Sequence, residues 1–573
     1  MTAIVAPSRR VRNVGQRRET LAVSHFRLMV MMLCFGGATL AIGGKLGWMA
    51  ITRDGAGSGR AVNPLIPSRG EITDRNGRVL ASSIDAWTIG VHPNKLLGDP
   101  EDIAPRLAQL MPERTEAQYL RILRSSKKFV YLRRRALPEL VSAVNAIGEP
   151  GMAFAREPER LYPQTSLAAH VLGWTNIDGH GVTGMERVLD RQLTDPVGRT
   201  KPVALSIDSR VQAALESEIL TAMAKHSAIG GAGVVLDVDT GEVIALTSLP
   251  SFNPNAAGKF APELQYNKAT MGVYELGSTF KPITAAAALE TGVVPSMTKK
   301  WDATAPLQVG RFRIKDDHPQ KRWLNLPEMM VHSSNIVTAQ IADELGAERM
   351  QGMFRKLGFD QPVDIELAEK GGTLWPKFWA RTTVMTSGYG HGIAVTPLHL
   401  ANAYATLTNG GVWRPMTLLK RDPDHIPQGR RVISEATSYR IRQLMRLVVT
   451  DGTGERGNAP GYRLGAKTGT AEKPHLGGYA HSSLVTTFAS VFPMDKPRYV
   501  VIAMLDEAKG TADTYGFRGA AWVAAPIVAK VIPRIGPILG VQPDDTRDIE
   551  TASLRALLWK PRSENKGVVA GPE

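Results

Sequence analysis

Three short motifs along this chain carry side chains that could perform one reaction together. Ser278-Thr279-Phe280-Lys281 pairs a hydroxyl with an amine three residues on; Ser333-Ser334-Asn335 adds a hydroxyl and an amide; Lys467-Thr468-Gly469-Thr470 adds a cation beside hydroxyls. A nucleophile, an amine base, a proton carrier and a carboxylate-holding edge are what serine acyl transfer on a carboxylate-bearing peptide requires.

Taken singly, each motif is weak. Ser-x-x-Lys recurs at Ser125/Lys128, Ser296/Lys299 and Ser563/Lys566, and Ser-x-Asn at Ser251/Asn253 and Ser563/Asn565. Context separates them. Ser125 sits in a charged run, Ser296 follows a Val-Val-Pro loop, and Ser563 lies in a polar tail, whereas Ser278 follows Gly277 and opens an Ala-rich apolar stretch. Pro282 suits the first turn of a helix, so a helix is expected to start at or just before Ser278. Residues three apart share a helix face, which sets Lys281 beside the Ser278 hydroxyl. A partly buried lysine near other cations can shed its proton near neutral pH and act as a base. Free N–H groups at a helix start favour the oxyanion of acyl transfer. The plainer reading of an isolated Ser-x-x-Lys is a capping serine with a solvated lysine; the two further motifs, in order, argue against it.

The elements that must bring these motifs together are spread over 573 residues, room for about three or four domains. A formal charge of +15 raises nucleic-acid binding first, but the basic residues are dispersed and no nucleic-acid-binding signature occurs. Anionic lipids and anionic substrates fit that charge better. Cys34 is the single cysteine, which excludes an internal disulfide, and the 12 histidines show no metal-ligand spacing, so neither metal nor cofactor is expected. Residues 28–44 form an uncharged run of 17, extendable to 51 if Lys45 snorkels, enough for one membrane span. Arg9, Arg10, Arg12, Arg17 and Arg18 precede it against one acid, Glu19, which places the N-terminus in the cytoplasm and everything beyond about residue 52 outside. The run is long for a signal core and lacks a clear cleavage site, so an uncleaved anchor is expected. Gly36, Gly37, Ala41, Gly44 and Gly47 would permit a close-packed partner helix.

The expected organisation is a basic tail at 1–26, an anchor at 27–51, a stalk at 52–64, a mixed α+β region at 65–202, a catalytic domain at 203–545 and a polar tail at 546–573. Asn76-Gly77 marks a hairpin turn, and 100–125 and 136–147 have helical periodicity. A hairpin around 239–242, a mostly helical middle and late strands near 467, 486–492 and 499–505 predict an antiparallel sheet flanked by helices. Gly179-His-Gly-Val-Thr-Gly184 matches a dinucleotide fingerprint literally, but its neighbours are turn-like. Ala466 likewise spoils a P-loop reading of 461–468.

These residues resemble the class B penicillin-binding proteins. Tyr274-Glu-Leu-Gly-Ser-Thr-Phe-Lys-Pro282, His332-Ser-Ser-Asn335 and Ala466-Lys-Thr-Gly-Thr-Ala471 are similar to the three transpeptidase signatures, and Arg69-Gly-Glu-Ile-Thr-Asp-Arg-Asn-Gly77 to the start of the non-catalytic pedestal. Within the group, the stretches at 129–135, 169–178 and 388–397 and the Ala525-Pro526 region are most similar to the cell-division members. Leu276 and Ala466 stand where relatives often have proline and glycine.

The resemblance implies an α+β architecture: one transmembrane helix, an elongated mixed α/β pedestal of the dimerisation type, and a transpeptidase domain. It implies Ser278 as nucleophile, Lys281 as base, Ser333 and Lys467 in proton transfer, and Asn335 on a substrate amide. Thr468 and Thr470, flanking Gly469, would hold the terminal carboxylate. It further implies acylation by β-lactams, peptidoglycan stem peptides on lipid-linked strands as substrate, septal localisation in the inner membrane with the catalytic domain in the periplasm, and an FtsW-type glycosyltransferase with other division proteins as partners. An elongation-specific class B enzyme, a carboxypeptidase or β-lactamase-like hydrolase, and a non-enzymatic division scaffold are the alternatives.

Overall fold

The computed structural model describes residues 11–52, 68–475 and 478–559, and the stalk at 52–64 lies almost entirely outside them, as do the ends of both terminal tails. The chain divides into two compact units, Met1–Ile66 and Pro67–Glu573. Among its described residues the first is a single helix, α1 (Val11–Thr52). Its segment His25–Lys45 is long and apolar enough to cross a membrane: 21 residues at 1.5 Å each span about 31 Å. Phe26, Leu33, Phe35 and Leu40 along it are exposed, as a lipid-facing helix requires.

The second unit opens with β1 (Ile72–Thr73) and β2 (Val79–Val91), joined antiparallel through the Asn76-Gly77 turn. The Asp74 carboxylate accepts the Asn76 and Arg78 N–H groups, and Gly77 takes the left-handed φ of 84° that the turn needs. Helices α2 (Pro100–Leu110), α3 (Glu116–Leu123) and α4 (Pro138–Asn145) cover the sheet. Strands β3 (Val130–Ala136) and β4 (Met152–Leu161) flank β2 on either side, and β5 (Val203–Ala204) pairs parallel with β1. The region is tied together by buried charge. Glu186 is fully buried between Arg69 and Arg160, each 2.7 Å away, and Arg69 also reaches Asp190 at 2.7 Å. The Gly-x-Gly-x-x-Gly segment belongs to this packing: a Cβ on Gly181 would overlap the Glu186 backbone, and Asp190 accepts the Gly181 N–H.

The next region begins with α5 (Ser209–His226), capped by Asp208. It is built on a five-stranded antiparallel sheet of β6 (Gly230–Asp237), β7 (Val243–Leu249), β8 (Gly465–His475), β9 (Gly478–Phe492) and β10 (Tyr499–Asp506), in the order β8-β9-β10-β6-β7. Both faces are covered. In β10, Val500, Ile502 and Met504 join the helical cluster on one side, while Val501, Ala503 and Leu505 pack on the other against Leu215 and Ile219 of α5 and the late helix Ala525–Ile535. Period-two alternation between two cores makes the strand read as a continuous apolar run. Each fully buried Val or Ile contributes roughly 1.5–3 kcal/mol.

The helical cluster contains α6 (Lys281–Glu290), α7 (Leu326–His332), α8 (Asn335–Lys356), α9 (Pro397–Thr408) and α10 (Glu435–Asp451). Residues 281–288 of α6 are all buried, and its alanines let α8 and α10 approach closely. The chain beyond 545 differs from the polar tail expected there. Ile549 and Leu554 are buried in the main core, Asn325 Nδ2 donates to Leu557 O, and Trp559 N donates to Glu328. Leu557 and Leu558 pack against the same core.

Candidate active site

Ser278 lies in a tight 3-10 turn, Gly277–Phe280, and the α-helix proper starts at Lys281. The expected helix start is thus displaced by one turn. Pro282 has no N–H to donate to the Ser278 carbonyl, so that carbonyl is taken instead by the Lys281 N–H. The turn is fixed from below: Tyr404, fully buried, donates its hydroxyl to Thr279 O at 2.9 Å, and Thr279 Oγ1 donates to Leu276 O.

Two glycines allow the backbones to meet around this turn. A Cβ on Gly390, whose φ is 78°, would overlap Gly277 O; one on Gly469 would overlap Leu276 O and crowd Thr279 Cγ2. Gly469 is therefore the contact through which edge strand β8 lies against the Ser278 turn.

Ser333 ends α7 in the left-handed conformation, φ 57° and ψ 43°. For a non-glycine residue this costs roughly 1–2 kcal/mol, and the strain aims its side chain between two lysines. Lys281 Nζ lies 2.9 Å from Ser278 Oγ, 3.0 Å from Ser333 Oγ and 2.8 Å from Asn335 Oδ1. Lys467 Nζ lies 2.8 Å from the same Ser333 Oγ and 3.1 Å from Thr468 O. Ser278, Lys281, Ser333 and Lys467 form one unbroken line of hydroxyls and amines.

Both lysines are fully buried. Burial pushes Lys281 down to about 7, against the opposing pull of Asp316 and Asp317. Burial, reinforced by the Lys281 charge, pushes Lys467 well below the ordinary lysine range. An amine that is neutral near pH 7 and in contact with a hydroxyl is a competent general base.

The remaining motif residues line the open side. Thr470 is exposed, and its Oγ1 accepts the Ala520 N–H at 3.0 Å, which leaves its own proton to donate outward. Thr468 Oγ1 stands 3.1 Å from Thr453 Oγ1. Asn335 is engaged at both ends, its Oδ1 by Lys281 and its Nδ2 by Lys315 O at 3.1 Å, so one Nδ2 hydrogen remains for a ligand. Sequence reasoning missed Thr453, Tyr404 and Asp316, which support the motifs from outside them. The Gly452-Thr453-Gly454 turn and the Asp316-Asp317-His318 run were visible as polar punctuation, but nothing in their spacing tied them to the site.

Residues 231–531 match the family model of the penicillin-binding protein transpeptidase domain, and residues 64–201 that of the penicillin-binding protein dimerisation domain. The chain belongs to the class B penicillin-binding proteins. It is similar, at 38% identity over 91% of this chain and 89% of the relative, to the probable peptidoglycan D,D-transpeptidase FtsI of Caulobacter vibrioides. It is 29% identical to the peptidoglycan D,D-transpeptidase FtsI of Escherichia coli K12, over 91% of this chain and 93% of that one. Among solved structures it resembles penicillin-binding protein 3 of Mycobacterium tuberculosis complexed with aztreonam, with a TM-score of 0.65 and 26% identity, covering 83% of this chain and 98% of that one.

Proposed function

We propose that the protein is a peptidoglycan D,D-transpeptidase that cross-links stem peptides during septal wall synthesis and is acylated by β-lactams. The observation that carries this is the contact line from Ser278 Oγ through Lys281 Nζ and Ser333 Oγ to Lys467 Nζ, no step longer than 3.0 Å. Ser278 Oγ attacks the carbonyl of the penultimate D-Ala, and its proton passes to neutral Lys281. The C–N bond breaks as Ser333, recharged by its lysine neighbours, protonates the departing D-Ala amine. An amine of a second stem peptide then attacks the ester; its N–C bond replaces the Oγ–C bond, and its proton returns along the line to Ser278.

Thr468 and Thr470 hold the terminal carboxylate beside Lys467. The backbone N–H groups of Ser278 and Thr470 stabilise the oxyanion, each such donor being worth about 3 kcal/mol. β8 supports this role as the edge of its sheet, with no strand on its outer side among the described residues, so an extended peptide can align along it.

α1 anchors the chain with its basic end in the cytoplasm and the catalytic region in the periplasm, where an FtsW-type glycosyltransferase and other division proteins would meet it. The test is product analysis: with a partner glycosyltransferase and lipid-linked pentapeptide precursor, the protein should release D-Ala and form cross-linked dimers. Trimmed tetrapeptide without dimer would make it a carboxypeptidase instead.

A further inference from the structure

Residues 315–316, between the strand Phe312–Ile314 and α7, grip the segment 334–336 that follows Ser333. The Asp316 carboxylate is buried, 8% exposed, and both oxygens are used: Oδ2 accepts the Ser334 hydroxyl at 2.8 Å and Oδ1 accepts the Ile336 N–H at 2.9 Å. The next carbonyl back, Lys315 O, accepts Asn335 Nδ2. A carboxylate on the free N–H groups of a helix start is a strong, charge-assisted anchor. The α8 start that it anchors is the segment that points Ser333 Oγ and Asn335 Oδ1 at Lys281.

We propose that Asp316 is a positioning residue for acylation: it clamps the first turn of α8 so that left-handed Ser333 bridges the two active-site amines, and its charge faces the base. Lys281 is faced by Lys467 from β8 and by Asp316 and Asp317 from the 315–321 segment, while His332 on α7 faces Asp316. The two acids favour the charged form of Lys281, opposing its burial. The clamp therefore does two separable things: it sets where the Ser333 hydroxyl stands, and it sets the pH at which Lys281 becomes a base. This rests on the transpeptidase reading of the same site.

The experiment measures the second-order rate of acylation by benzylpenicillin from pH 5.5 to 9, on the full chain in detergent, alongside the melting temperature. Wild type should show an acid limb near pH 7, where Lys281 loses its proton. Asp316→Asn should lower the plateau about 10- to 100-fold and move that limb down by roughly half to one pH unit, because one facing negative charge is gone. Ser334→Ala, which removes the hydroxyl contact and the cap on the Val337 N–H but keeps the charge, should lower the plateau and leave the limb in place. An Asp316→Asn enzyme with plateau and limb unchanged overturns the proposal. So does a plateau that falls only in step with melting temperature while the limb stays put, since that is a stability residue and no more. Should Asp316→Asn fail to fold, a wild-type plateau in Ser334→Ala overturns the clamp on its own. Absence of any Ser278 adduct in wild type would sink the transpeptidase reading before the variants are compared.

Discussion

Two regions of this protein bury charge, and they handle it in opposite ways. In the pedestal, Arg69 and Arg160 share the fully buried Glu186 at 2.7 Å each, and Asp190 takes a further bond from Arg69. Every cation there has a carboxylate against it. At the active site, Lys281 and Lys467 are equally buried, yet their contacts are hydroxyls, carbonyls and an amide. Paired buried charge acts as a clamp, expensive to break and chemically quiet. Buried amines that lack a touching carboxylate lose their protons instead, and that makes them reactive. The contrast locates the chemistry in this chain without reference to any motif.

Replacing a member of each region should give opposite phenotypes. Lys281→Met should cut penicillin acylation about a thousand-fold or more, because a positioned base contributes 10²–10⁴. The same change should raise stability to urea at pH 7, since a desolvated amine is removed from the core. Loss of activity together with loss of stability would contradict the contrast.

Glu186→Ala should do the reverse. It leaves two buried guanidiniums without their shared acid, at a cost of about 3–5 kcal/mol in unfolding free energy, while the folded fraction still acylates at close to the wild-type rate.

Gly469→Ala tests how tightly β8 and the nucleophile turn must meet. The added Cβ overlaps Leu276 O, and a displacement of that kind should cost roughly 100-fold in acylation together with about 1–3 kcal/mol of stability.

The last effect is read as a slope and not as a rate. Lys281 falls from 10.5 unfolded to about 7 folded, so between those values the unfolded chain binds more protons. Stability should therefore rise as pH increases from about 7 towards 10, and the part contributed by Lys281 should vanish in Lys281→Met. Lys467 acts in the same direction.

The side chains that meet around Lys281 were legible in the sequence because each motif holds a chemically distinctive residue at helix or turn spacing. What the sequence could not display was the support. Asp316 reaches Ser334 across 18 residues, Tyr404 reaches Thr279 across 125, and neither separation follows from any local period. The sheet strands β6 and β10 were visible as apolar runs because two cores cover them. β3 and β4 were not, since Arg133, Arg134 and Arg135 in one and Arg156, Glu157, Glu159 and Arg160 in the other hide the alternation under charge. Those charges find one another across the pedestal: Arg134 and Arg135 of β3 both reach Glu159 of β4. The one-turn delay of the nucleophile helix was in principle readable, because Pro282 forbids the α-helical bond to Ser278.

The most direct test of the account is mass spectrometry of the protein after brief exposure to benzylpenicillin at pH 7.5. The account predicts one adduct of the intact antibiotic mass, on the peptide containing Ser278, absent from Ser278→Ala and nearly absent from Lys281→Met. An adduct on any other residue, or one formed at an undiminished rate without Lys281, would contradict the claim that a buried neutral lysine activates this serine.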